Sequence, residues 1–330
     1  MERLQIGISR LLSVADREEI VSIRTLEMKI SDGGPTPKRV EPHILGLAGI
    51  ELLERRRLSI HRHPLTKTLN WYAPSRLSPD HVKEKLDAVA RVHADTVSPT
   101  FTAALGDPLE ISIFRCLQEM RQNDRRVRFY GSFDLSKRLD NGRFSKKEPP
   151  TSYNDAVIDG PPDFVLFHPD SGETFMIECK NHREWIYPSS DNIKTIVRKA
   201  IAADCTPIII ARRMPFITKN GLCAPAGIIA HETYHQLYPE TDNARALAEL
   251  ARQKRGLGYS DIKVSEEPLD RTRNFFHNSF PKIAQRAAEL FQTNKEPLSL
   301  WANGEISWRD VFDYLNRGTP YNGIDANMEF

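Results

Sequence analysis

The stretch Pro162-Asp163-Phe164-Val165-Leu166-Phe167-His168-Pro169-Asp170-Ser171-Gly172-Glu173-Thr174-Phe175-Met176-Ile177-Glu178-Cys179-Lys180 sets two apolar runs around a cluster of turn formers. Short runs rich in Phe, Val and Ile on either side of Pro-Asp-Ser-Gly predict a β-hairpin. With the turn centred between Asp170 and Ser171, Asp163 lies directly opposite Glu178. Directly opposed residues share a face of the sheet, with Cβ atoms about 4.5–5.5 Å apart. Lys180, two residues beyond Glu178, points to the same face. The other face carries Phe164, Leu166, Phe175, Ile177 and Cys179, as a surface turned to a core should. Two carboxylates this close repel, and a divalent cation relieves them. Hard oxygen ligands select Mg²⁺ or Mn²⁺.

The flanking sequence extends the hairpin into a mixed α/β unit. Leu105–Arg121 has the spacing of an amphipathic helix, and Val127–Leu135 reads as a strand. The polar stretch 141–159, with Pro149-Pro150, reads as a loop. Asn192–Ala203 is a second helix, and Pro207–Ala211, with Ile208-Ile209-Ile210, is a fully buried strand. The order is α-β-β-β-α-β.

A bare acidic-x-Lys triplet carries no weight, since Glu27-Met28-Lys29 and Asp261-Ile262-Lys263 also occur. Pro162-Asp163 joined by a hairpin to Glu178-Cys179-Lys180 is a different matter. Together with the order of elements over 105–215, it resembles the PD-(D/E)xK, or restriction-endonuclease-like, superfamily. The buried strand running into Arg212-Arg213 makes it similar to the Holliday-junction-resolvase and type IV restriction branch. The resemblance implies a metal-dependent nuclease in which Asp163 and Glu178 hold the metal and Lys180 acts on the attacking water and the phosphate. It also implies a further acidic residue on the preceding helix, with Glu110 first and Asp107 second. The implied substrate is DNA, double-stranded or branched, and a homodimer would cut both strands.

Upstream, apolar residues recur at helical spacing over 2–30 until Asp32-Gly33-Gly34-Pro35 breaks the run, and a helix follows from about Pro42 to Arg55. Leu58–Ala73 reads as two short strands around a basic turn. This pattern resembles a winged helix-turn-helix domain over 1–95. Between Lys38 and Lys67 there are seven Lys or Arg against three acidic residues, plus three histidines. A phosphate backbone rewards that imbalance, which makes Arg55, Arg56, Arg57, Arg62 and Lys67 the candidate nucleic-acid contacts. Basic residues also flank the hairpin: Arg121, Arg125, Arg126, Arg128, Lys137, Arg138, Arg143, Lys146 and Lys147. Trp185 and Tyr187 follow it and can stack on a base or fill a core.

The expected organisation is therefore a winged-helix-like domain over 1–95, a nuclease core over 96–240 and a helical C-terminal extension over 241–330. No apolar run is long enough to span a membrane and no signal sequence is evident, so a cytoplasmic protein is expected. Four cysteines without a C-x-x-C pair give neither a disulfide framework nor a zinc site.

A competing signature is His231-Glu232-Thr233-Tyr234-His235, which matches H-E-x-x-H. On a helix its histidines would bind zinc and Glu232 would act as the base of a metallopeptidase, with Glu240 or Glu249 as a third ligand. Pro225 and Gly227 just upstream let Ala226–His231 read equally well as a strand. A third possibility is a DNA-binding regulator with an inactive nuclease fold, against which the intact Asp163, Glu178 and Lys180 set speaks.

Overall fold

The computed structural model describes residues 2–32, 40–139, 143–147 and 160–318, with the backbone alone at 152–153 and 156–157. Over these residues the chain is mixed α/β and divides into two compact units, one of 1–103 with 240–264 and one of 104–239 with 265–330. The expected extension over 241–330 is thus shared between the units. Helix Asp242–Gln253 turns Ala244, Leu247, Ala248 and Ala251 inward and packs on helix Pro79–Thr96 of the first unit. There Tyr259 Oη lies 3.1 Å from both His93 Nδ1 and Thr96 Oγ1. Helix Phe280–Thr293 belongs to the second unit instead, with the ring of Phe280 edge-on to Phe175 at 4.9 Å.

In the first unit, helices Glu2–Glu18, Ile23–Glu27 and Pro42–Glu54 precede strands Leu58–His61 and Trp71–Pro74. These strands join Val21–Ser22 in an antiparallel sheet with Trp71–Pro74 in the middle. The single helical run expected over 2–30 is broken at Glu19, whose φ of 64° is left-handed and ends the first helix. Ser22 then restarts the chain as an N-cap, its hydroxyl accepting from Thr25 N at 3.2 Å. Leu11, Leu26, Leu45, Leu52 and Trp71 form the buried centre. Gly33–Pro35 and Lys38 lie outside the described residues. No helix among the described residues is long and apolar enough to cross a membrane.

The second unit is built on a five-stranded sheet. Across it run Ile229–Glu232, Thr206–Ala211, Glu173–Lys180, Phe164–His168 and Arg128–Tyr130. The first three are parallel and the last two antiparallel to their neighbours. The hairpin register is the expected one: His168 faces Glu173 and Phe164 faces Ile177, so Asp163 and Glu178 are the next pair outward. One face buries Phe164, Leu166, Phe175 and Ile177 against Leu109, Ile113 and Phe276. The other buries Met176 and Ile209 against Ile193, Ile196 and Val197 of helix Asp191–Ala202. Burial of each such side chain contributes about 1.5–3 kcal/mol, which fixes the face to which the polar pair is turned.

Two expectations change here. The strand predicted over 127–135 is interrupted at Gly131, where φ is +94°. Arg128–Tyr130 stays in the sheet, whereas Ser132–Arg138 leaves it to pair with Phe144–Lys147. The stretch 141–159, expected as loop, therefore contains a strand in which Phe144 and Lys146 are half-buried while Ser145 and Lys147 are exposed. Gly131 is required at the break, since a Cβ there would run into the carbonyl oxygen of Asp163 and come within 2.8 Å of the Phe164 ring.

Candidate active site

The hairpin delivers Asp163 and Glu178 to one end of the sheet, and three lysines converge on them. Asp163 Oδ2 accepts from the Cys179 backbone N at 2.7 Å, so the carboxylate is fixed by the strand that carries Glu178. Its other oxygen lies 3.1 Å from Lys146 Nζ. Glu178 is buried, with Oε2 3.2 Å from Lys180 Nζ and Oε1 3.0 Å from Lys199 Nζ. Glu110, on helix Pro99–Asn123, joins through Lys146, whose Nζ is 2.6 Å from Glu110 Oε2. One ammonium thus bridges Glu110 and Asp163.

The charges show how tight this packing is. Burial, followed by the negative charge of Asp163, pushes the Glu110 carboxyl up to about 8 in spite of Lys146. Burial alone would lower Lys146, but Asp163 and Glu110 outweigh it and hold the ammonium above its ordinary value. Lys180 behaves alike: burial opposes its charge, and Glu178 and then Asp163 raise it. The Cys179 thiol between them is pushed well up by its burial and by all three carboxylates, so it is inert here.

Of the residues singled out from sequence, Asp163, Glu178, Lys180 and Glu110 come together. Asp107 does not. Its buried carboxylate takes both Arg143 Nε and Nη2 at 2.7 Å. That bidentate pair ties strand Phe144–Lys147 to the helix and so places Lys146. Asn181, next to Lys180, is a second tie. Its Nδ2 donates to the carbonyls of Leu105 and, at 2.6 Å, of Leu237, while its Oδ1 accepts from Leu237 N at 2.9 Å. Trp185 and Tyr187 are half-buried. Two functional candidates were not picked out by sequence reasoning. Lys146 stood only among the flanking basic residues, and Lys199 looks like any solvated lysine of an amphipathic helix.

The H-E-x-x-H segment does not form the helix that the zinc reading requires. Ile229–Glu232 is a strand, so His231 and Glu232 point to opposite faces. The His231 ring stacks on Phe275 at 4.3 Å with Nε2 3.3 Å from Thr272 Oγ1, and burial lowers it to about 3, aided by Arg271 and Lys219. Glu232 is held by Met214 N at 2.9 Å and Lys219 Nζ at 2.7 Å. Both side chains are therefore committed to the fold.

The basic candidates of the first unit are all exposed. Arg55 pairs with Glu51, and Arg62 Nε donates to Asn70 Oδ1 at 3.4 Å. Arg56, in a left-handed turn with φ 54°, and Arg57 line a pocket of about 290 Å³ with Leu12, Asp16, Pro74 and Arg76. Helix Pro42–Glu54 itself exposes Leu47 and Ile50 and has no Lys or Arg. The positive charge sits beyond its end, on the turn and strand that follow.

Among the described residues no group of three or more His, Cys, Asp or Glu side chains is poised around a point where a metal ion would sit. The donor chemistry nevertheless fits a hard cation. The acidic ligands are all oxygen, and a single ammonium already stands between Glu110 and Asp163 where a shared cation would sit. Comparison with protein-family models, curated proteins and solved structures finds no match to this chain.

Proposed function

We propose that the chain is a divalent-metal-dependent nuclease that hydrolyses phosphodiester bonds in DNA, a restriction-endonuclease-like core joined to a winged-helix-like module. The observation that carries the reading is the pairing of Asp163 and Glu178 across one hairpin, with Lys180 on Glu178 and Glu110 joined through Lys146. The sequence of helix, three strands of the sheet-and-hairpin region, helix and parallel strand supports it, as does the mixed direction of the sheet. The α-β-α-α-β-β order of the first unit, with its last strand in the middle of the sheet, supports the module. A homodimer gives one site for each strand of a duplex.

Asp163, Glu178 and Glu110 are the residues that would hold Mg²⁺ or Mn²⁺. When bound, the metal lowers the pKa of its water and polarises the phosphate. The chain supplies the rest. Lys180 is held charged by Glu178 and Asp163, so it suits neutralising charge on the phosphoryl oxygens and orienting water better than accepting a proton. Lys199 and the backbone N of Cys179 fix Glu178 and Asp163, leaving fewer conformations to freeze when substrate arrives.

A second reading is favoured by the same lysines. Because Lys146, Lys180 and Lys199 already neutralise the carboxylates, the set would also stabilise an inactive nuclease fold serving a DNA-binding regulator. Purified protein incubated with supercoiled plasmid, single-stranded DNA and branched DNA in Mg²⁺, Mn²⁺ or EDTA decides between them. Cleavage that disappears in EDTA and in Asp163→Ala, Glu178→Ala and Lys180→Ala, with each variant folded and binding DNA, supports the nuclease. Wild-type rates in Lys180→Ala would refute the assignment, and binding without cleavage in any metal would favour the regulator.

A further inference from the structure

Three parallel strands end side by side in the second unit, with Lys180 in register with Ala211 and Ala211 with Glu232. Beyond these ends the backbone stays paired, Thr233 N donating to Ala211 O and Tyr234 N to Arg212 O, both at 2.9 Å. Tyr234 is exposed and has a φ of 62°, a left-handed conformation that bulky residues rarely adopt. Such strain persists where the surroundings impose it, and it gathers at ligand clamps. Two guanidiniums lie against this one ring, the Cζ of Arg271 4.1 Å and that of Arg213 4.7 Å from its centroid. Arg271 is anchored further by Nε, which donates to Glu232 O at 2.6 Å. Among the described residues neither arginine has a carboxylate within ion-pair range, although most arginines around the sheet do.

Two like charges brought to one aromatic ring without a counter-ion repel each other. A bound anion between them relieves that repulsion. The ring orients the planar guanidiniums while leaving N–H groups for bidentate contact with phosphate. Adjacent strands lie about 4.8 Å apart, so the clamp is about 10 Å from the Lys180 strand end, on the order of three nucleotides of duplex rise. We propose that Arg213 and Arg271, oriented by Tyr234, clamp a phosphate of the nucleic-acid strand a few nucleotides from the one placed at Asp163 and Glu178. The clamp rests on the nuclease reading for the identity of the strand, but its charge and geometry stand without catalysis.

The test measures binding of a fluorescent single-stranded oligonucleotide to the full chain in EDTA, across a salt series, alongside cleavage in Mg²⁺ or Mn²⁺. Arg213→Ala touches only the ring contact and should flatten the slope of log affinity against log salt by roughly 0.7, and the Arg213→Ala/Arg271→Ala pair by roughly 1.4. Arg213→Lys should restore most of the slope. In cleavage, the double variant should raise KM several-fold while kcat stays near wild type. An unchanged salt slope in the folded double variant overturns the clamp even if the wild type cuts DNA. A lost kcat with unchanged binding also overturns it, since it would mark a structural role. If the wild type cuts no DNA but the slope falls as expected, the clamp stands and the nuclease reading fails.

Discussion

Glu110 is the carboxyl whose environment is most strained, and removing its charge should be felt as stability. Its folded value of about 8 lies above the ordinary 4.5 because it is buried beside Asp163. A carboxyl raised in the folded state contributes stability that is fully present below its unfolded value and is lost as pH rises through the folded one. At about 1.36 kcal/mol per pH unit, the interval from 4.5 to about 8 corresponds to about 5 kcal/mol, an upper bound given the pairing with Lys146. Glu110→Gln keeps the shape and abolishes the titration. In EDTA the wild type should lose up to about 4 kcal/mol between pH 5 and pH 8 relative to Glu110→Gln. Urea denaturation of the two proteins at pH 5, 6, 7, 8 and 9 reads this as curves that diverge upward in pH and then run parallel. Saturating Mn²⁺ at pH 8 should recover the loss in the wild type and leave the variant unmoved. Parallel curves over the whole range would refute the placement of Glu110 against Asp163. Equal stabilisation of both proteins by Mn²⁺ would remove Glu110 from the metal set.

Gly131→Ala should destabilise the second unit by about 2–4 kcal/mol, combining about 1–2 kcal/mol for a left-handed backbone with displacement of the Asp163 carbonyl. Urea midpoints measure the loss, cleavage should fall with it, and a variant as stable as wild type would show that the break lies elsewhere. Replacing Arg55, Arg56, Arg57 and Arg62 together by Gln should weaken DNA binding and flatten its salt slope by roughly 0.9 for each phosphate that is no longer neutralised. A slope that does not move would make the first unit a protein-docking module, in keeping with exposed Leu47 and Ile50. Purified protein should hold no stoichiometric zinc by elemental analysis, and Glu232→Gln should cut DNA near the wild-type rate while melting lower for loss of the Lys219 pair. One equivalent of zinc that vanishes in His231→Ala would reinstate the peptidase.

The site hairpin was legible because its turn is short and chemically marked, and register follows from the turn. Asp163, Glu178 and Lys180 could then be placed from numbering alone. Glu110 was legible only through resemblance, since one carboxylate on a helix has no signature of its own. Lys146 was hidden by Pro149-Pro150 and the polar run, which disguise a strand whose alternation is Phe144 in, Ser145 out, Lys146 in. The break at Gly131 follows from a tertiary collision with Asp163 that local propensity does not carry. H-E-x-x-H was ambiguous between two periods, and pairing with Thr206–Ala211 settled it as a strand. The division of 241–330 between two units depends on which apolar stripe meets which partner, and amphipathicity shows the stripe without naming the partner.

Asn181 turns the site into a mechanism with a fixed stroke. It grips helix Pro99–Asn123 at Leu105 and the chain near Leu237 while sitting next to Lys180. Glu110 follows Leu105 by five residues, a little over one turn at 3.6 residues per turn. Any axial slip of the helix would carry Glu110 along the direction that separates it from Asp163, and the amide of Asn181 resists that slip. Asn181→Ala would release the latch, so a pull on the helix end that now moves the site as a block would instead change the gap between two carboxylates.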